Sequence, residues 1–146
     1  MRYALLVYYD DNAKIGNEER RRRAAGLASV PARLRAGGAH VGGFDGGVRL
    51  QPATTATTVR CWDGGDVMVS RGPAATAREQ LGGCFVVDCP DEDAAIEAAT
   101  HIPAAWYGCV EVRQVMAESA QPDVIIPPGR ARGRPPVLAA VSRSGG

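Results

Sequence analysis

The order in which strand-like and helix-like segments alternate constrains this chain more than any other feature. Residues 2–9, RYALLVYY, are rich in strand formers and end at Asp10-Asp11, so they read as a first strand. Asn17 is placed to cap a helix entered through Glu18 and Glu19. Leu27, Val30 and Leu34 then recur at helical spacing. Pro31 falls inside that run, which predicts a kink or a restart, and Gly37-Gly38 ends it. A second strand is expected over 39–44, AHVGGF, followed by a glycine-rich loop over 45–52. Residues 56–62 and 66–70 flank Asp63-Gly64-Gly65, which signals a hairpin. Residues 84–88, CFVVD, read as a further strand. Pro90 and Asp91 then open a helix whose first-turn acids suit the helix dipole. Residues 109–115, CVEVRQV, make the last strand.

With the hairpin set aside, the order is β-α-β-β-α-β. That predicts an α+β domain of ferredoxin-like arrangement with an added β-hairpin. Both helices then cover one sheet face, and the other needs a partner, most simply a second copy of the chain. Residues 1–116 form the expected domain. Residues 117–146 hold five prolines and, up to Gly133, two glycines, with little helical periodicity, and read as a C-terminal arm. Within that arm Arg-Gly-Arg-Pro, residues 132–135, is similar to the centre of an AT-hook, but one copy of four residues does not establish DNA binding.

Composition narrows the function. Apolar residues make up 45%, which excludes a disordered chain, and a net charge of +1 gives no general attraction to nucleic acid or membranes. No window has the apolar length of a membrane span or a secretory signal, so a cytoplasmic location is expected. Cys61, Cys84, Cys89 and Cys109 form no CxxC pair, and neither histidine lies at ligand spacing from them. No metal site is expected. Phosphate-loop and dinucleotide motifs are missing too, so no cofactor is called for.

Side-chain alternation nominates candidate site residues. In the last strand Val110 and Val112 point one way, toward the helices, and Glu111 and Arg113 point the other. That pair is either an ion pair fixing the fold or dimer, or an acid and an anion anchor in a cleft. In the second strand Val41 is assigned to the helices, which sends His40 to the cleft side as a proton shuttle. Asp45, just past that strand, either orients His40, acts as a base or simply solubilises the loop. Tyr8, Tyr9, Trp62 and Trp106 serve either the core or a flat aromatic substrate. His101 ends the second helix and reads as a cap or surface residue. The arginine run at 20–23 reads as a solvated helix face.

Three ordered segments carry a family resemblance. LQPATTATTVR (50–60), RGPAATAREQLGG (71–83) and HIPAAWYGCVEVRQV (101–115) together resemble YCII-related proteins of the DGPF type. The resemblance covers roughly residues 1–116. It implies a ferredoxin-like fold and a dimer of the α/β-barrel type. It also places pocket residues at Arg71, Glu79 and Gln80. The family's aspartate before Gly-Pro is Arg71 here and its phenylalanine is Ala74. Its glutamate and threonine are Thr76 and Ala77. A histidine that some members carry on the first helix is replaced near Leu27. These departures describe a preserved scaffold with a rewritten pocket.

The expected function is a cofactor-independent enzyme performing proton transfer, elimination, isomerisation or cyclisation on an aromatic or carbonyl-bearing molecule. His40 and Asp45 are the expected catalytic groups. Arg71, Glu79, Gln80, Glu111, Arg113 and Tyr9 are the expected substrate contacts. The expected partners are a second copy and a small-molecule ligand. The alternative is a non-catalytic ligand-binding or regulatory dimer, for example one associated with a sigma factor.

Overall fold

A computed structural model describes residues 1–36 and 47–116, together with the backbone of 40–42. Its elements are β1 (Arg2–Tyr9), α1 (Asn17–Ala28), α2 (Val30–Ala36), β2 (His40–Gly42), β3 (Val48–Arg49), β4 (Thr57–Cys61), β5 (Val67–Arg71), β6 (Gln80–Asp88), α3 (Glu92–Thr100) and β7 (Gly108–Gln114). The main sheet runs β2-β6-β1-β7 with these pairings all antiparallel, and β3 pairs with β6 beyond β2. β4 and β5 form a separate two-stranded sheet. The result is a mixed α/β domain with antiparallel sheets, consistent with a ferredoxin-like arrangement.

Alternation along the strands divides the main sheet. Tyr3, Leu5 and Val7 of β1 and Phe85 and Val87 of β6 are buried on one face. Leu27, Val30 and Leu34 pack there from α1 and α2, and Ala95, Ala98 and Ala99 from α3. Val110 and Val112 join the same core, as their alternation predicts. Leu5, Val30 and Val87 are 0% exposed, and each such side chain contributes about 1.5–3 kcal/mol by leaving water. The opposite face carries Ala4, Leu6 and Tyr8, and the packing of α1, α2 and α3 is on the other side.

Pro31 breaks the first helix as expected. α1 stops at Ala28, Ser29 donates its hydroxyl to the Gly26 carbonyl at 2.7 Å, and α2 restarts at Val30. Asn17 does not cap α1: it is the first helical residue, and Gly16 holds the cap position without a side-chain bond. At α3 the Asp91 side chain accepts from the Ala94 amide at 2.9 Å, so this cap is made.

Two expectations about strands need correction. The stretch 45–52 is not all loop, because Val48 and Arg49 pair with Cys84 and Gly83. β6 begins at Gln80 rather than at Cys84, so the Gln-Leu-Gly-Gly segment is itself strand. A Cβ at Gly82 would strike the Tyr9 ring, so a bare backbone lets Tyr9 lie across β6. The hairpin is as predicted: Gly64 (φ 110°) and Gly65 (φ 90°) make the tight reversal between β4 and β5. The arm over 117–146, residues 43–46 and the side chains of 40–42 lie outside the described residues.

Candidate functional site

Two adjoining cavities lie where the hairpin meets the main sheet. The first, of about 730 Å³, is walled mainly by apolar groups such as Leu50, Pro52, Val59, Ala74 and Leu81. The second, of about 660 Å³, is the more polar of the two and is lined by Tyr8, Asp10, Arg78, Glu79, Cys109 and Glu111, together with Ala77 and Tyr107. Tyr8, Ala77 and Glu79 line both.

Strand register builds this site. Tyr8 of β1 stands opposite Cys109 of β7, and Leu6 stands opposite Glu111, which puts Tyr8, Cys109 and Glu111 on the face away from the helices. The segment between β5 and β6 brings Arg78 and Glu79 over the end of that face. Gln80 holds the segment in shape: its side-chain amide donates to the carbonyls of Ala75 at 3.1 Å and Ala77 at 2.8 Å. Thr58 anchors the other end through a 2.9 Å bond to the Gly72 carbonyl.

The charges in the polar cavity differ in their partners. Asp10 pairs with Arg78 at 3.2 Å, and Glu111 pairs with Arg113. Glu79 has no arginine or lysine partner among the described residues, and its recorded contact is the Cys109 thiol, which donates to Oε2 at 3.6 Å. Desolvation pushes the Cys109 thiol up from its ordinary value, and the neighbouring Glu79 and Glu111 carboxylates push it the same way. Cys109 is therefore held as a thiol and not as a nucleophilic thiolate.

On the other side of the sheet end, the Tyr107 ring meets Tyr9 edge-on, with centroids 6.1 Å apart. The Arg23 guanidinium lies 4.0 Å above the Tyr107 ring, and Glu19 holds Arg23 at 2.8 Å. Burial, above all, raises both tyrosines above their ordinary value. Arg20, Arg21 and Arg22 are exposed, as a solvated face requires, but Arg23 turns inward.

The candidate residues from the sequence separate into groups. Glu79 and Glu111 meet at the polar cavity, and Gln80 supports the segment beside the apolar one. Arg113 is the partner of Glu111, with a side chain 68% exposed. Arg71 is exposed and reaches Thr57 at 3.4 Å, lining neither cavity. Tyr9 belongs to the helix side. His40 is in register with Asp88, and Asp88 with Arg2, whereas Glu111 is in register with Leu6. Those positions are four residues and three strands apart, roughly 20 Å by sheet spacing, so one chain does not bring His40 to Glu111. Asp45 lies outside the described residues. Trp62 and Trp106 are 52% and 87% exposed and line neither cavity. His101 is an exposed helix C-cap. Asp10, Cys109 and Tyr107 were not nominated by the sequence. Asp10 follows the last residue of β1 and lines the cavity from there, and single-strand alternation does not report it.

Among the described residues no helix is long and apolar enough to cross a membrane. No group of three or more His, Cys, Asp and Glu side chains among them is arranged for a metal ion.

The fold and site define a small α+β domain with a carboxylate-bearing cleft at the end of its open sheet face. A family model described as YCII-related domain matches residues 1–119. An uncharacterized protein of Rhizobium meliloti (strain 1021) is 32% identical over 117 residues, covering 77% of this chain and 90% of that relative. The chain belongs to the YCII-related family.

Proposed function

We propose that the protein is a cofactor-independent enzyme that moves a proton on a small aromatic or carbonyl-bearing molecule, with Glu79 as the base. The position of Glu79 carries this reading. It lines the apolar cavity and the polar one, and it lacks the arginine partner that Asp10 and Glu111 each have. Apart from the Cys109 contact at Oε2, its carboxylate is open to a ligand proton, while a flat apolar body has room beside it under the hairpin. In the proposed step Glu79 takes a proton from a carbon next to a carbonyl. The C–H electron pair forms a carbon–carbon double bond, and the carbonyl oxygen takes the negative charge. Return of the proton from Glu79 to a different carbon completes an isomerisation. The protein works in this reading as a cytoplasmic homodimer of the α/β-barrel type, its open sheet face covered by a second copy.

The test follows aromatic ketones and unsaturated lactones in D2O with the full-length protein, reading loss of the acidic C–H signal by proton NMR. Wild type accelerates exchange in at least one compound. Glu79→Gln lowers that rate by roughly 10²-fold or more, while Arg71→Ala leaves it intact. Exchange that survives in Glu79→Gln removes Glu79 as the base. The competing reading, a ligand-binding dimer without chemistry, is favoured by the loss of the family aspartate at Arg71. It predicts binding without exchange.

A further inference from the structure

Arg78 is the one cation among the described residues that line the polar cavity, and Asp10, Glu79 and Glu111 line it with carboxylates. Glu111 already has Arg113. Arg78 and Glu79 are neighbours in sequence, so Asp10 and Glu79 compete for one guanidinium. Asp10 holds it, at 3.2 Å. The Asp10 carboxylate is itself fixed: Oδ1 accepts from the Asn12 amide at 2.9 Å, and Oδ2 is left to meet Arg78. As a strut the pair is weak, because the Arg78 side chain is exposed and exposed ion pairs contribute little to stability. Its larger effect is on where the positive charge stands.

We propose that Asp10 is a positioning residue that holds Arg78 away from Glu79, so that Glu79 meets the ligand as a carboxylate without a cation. This rests on the reading of Glu79 as the base. A guanidinium beside a carboxylate favours the charged form and weakens it as a proton acceptor, which is the opposite of what removal of a C–H proton needs. Asp10 touches no reacting atom and acts through Arg78. Cys109 reports on the arrangement, since its thiol donates to Glu79 Oε2. The thiol is held up by desolvation first and then by Glu79 and Glu111, and Asp10 is not among the charges that act on it. A change at Cys109 on loss of the Asp10 charge therefore comes through Arg78 and Glu79.

The experiment compares wild type, Asp10→Asn, Arg78→Gln and the double variant in the full chain. Asparagine at position 10 keeps an oxygen for the Asn12 amide, so melting should be nearly unchanged. Iodoacetamide at pH 8 should label Cys109 roughly two- to fivefold faster in Asp10→Asn, where Arg78 is released to Glu79, and no faster in Arg78→Gln than in wild type. Deuterium exchange of aromatic ketones and unsaturated lactones, acetophenone among them, should fall roughly three- to tenfold in Asp10→Asn and recover in the double variant. Equal effects of Asp10→Asn and Arg78→Gln on labelling, or no recovery of exchange in the double variant, overturn the inference and leave Glu79 as the base, with the ion pair serving only to brace its segment. Wild type that accelerates exchange in none of these compounds removes Glu79 as the base, and the role of Asp10 with it, whatever the labelling.

Discussion

At the scale of single residues, the pairing of Cys109 with Glu79 makes a direct prediction. The thiol donates to a carboxylate that the proposed chemistry needs, and desolvation followed by that carboxylate holds the thiol up. Glu79→Gln removes the nearer negative charge. Iodoacetamide should then label Cys109 faster at pH 8 than in wild type, as peptide mass spectrometry would read it; an unchanged rate means the two side chains do not interact. The tyrosines give a second prediction. Tyr9 and Tyr107 are raised by burial, so their contribution to stability is complete below the unfolded tyrosine value of 10.0. It is lost as pH rises through the higher folded values. Melting followed from pH 8 to pH 11 should fall steeply above about pH 10 in wild type. The fall should be shallower in Tyr107→Phe, and equal slopes would contradict the burial of that hydroxyl. Glu79 and Glu111 were legible in the sequence because a motif and a strand alternation named them. Tyr107 was not, since a hydroxyl without a partner is a property of packing that no residue spacing encodes.

At the scale of elements, the segment between β5 and β6 is held by few bonds, and Gln80 supplies two of them. Gln80→Ala should loosen it without disturbing the sheet, because the Gln80 backbone still pairs with Tyr9. Limited trypsin digestion should cut after Arg78, whose side chain is 88% exposed, several times faster in the variant. Equal cleavage would show that the segment is held from elsewhere. The cap at Asp91 is simpler: Asp91→Ala should cost about 1 kcal/mol in chemical unfolding. Most elements were readable because periodicity needs only a few residues to declare itself. β3 has two, too few to alternate, and only its register against Cys84 and Gly83 defines it. The start of β6 was hidden by glycines that usually break strands. Here the space at Gly82 admits the Tyr9 ring, and at Gly83 a Cβ would sit 2.8 Å from the Val48 carbonyl. A tertiary contact overrode the local signal.

At the scale of the whole molecule, the open sheet face decides how the chain behaves in solution. The three α-helices among the described residues pack on one side of the main sheet, and the other side presents Ala4, Leu6, Tyr8 and Val86 among the charged pair of Glu111 and Arg113. Sheets with one apolar face against helices and a second apolar face bare are stable when that second face is covered. A two-fold partner would cover it with the same surface, and about 800 Å² per protomer makes a standard specific interface. The backbone of His40 stands in register with Asp88, far from Glu111 in one chain, so any meeting of the two would need a second copy. The wild-type protein is therefore expected to sediment as a dimer at micromolar concentration. Leu6→Arg places a charge at the middle of the open face without touching the helix-side core, since Leu5 and Val7 are the buried neighbours. It should sediment as a monomer with unchanged circular dichroism, because an unpaired charge in an apolar interface costs more than the contact returns. A dimer that survives Leu6→Arg would place the interface on another surface. A wild-type monomer would mean that the open face is covered from within the chain.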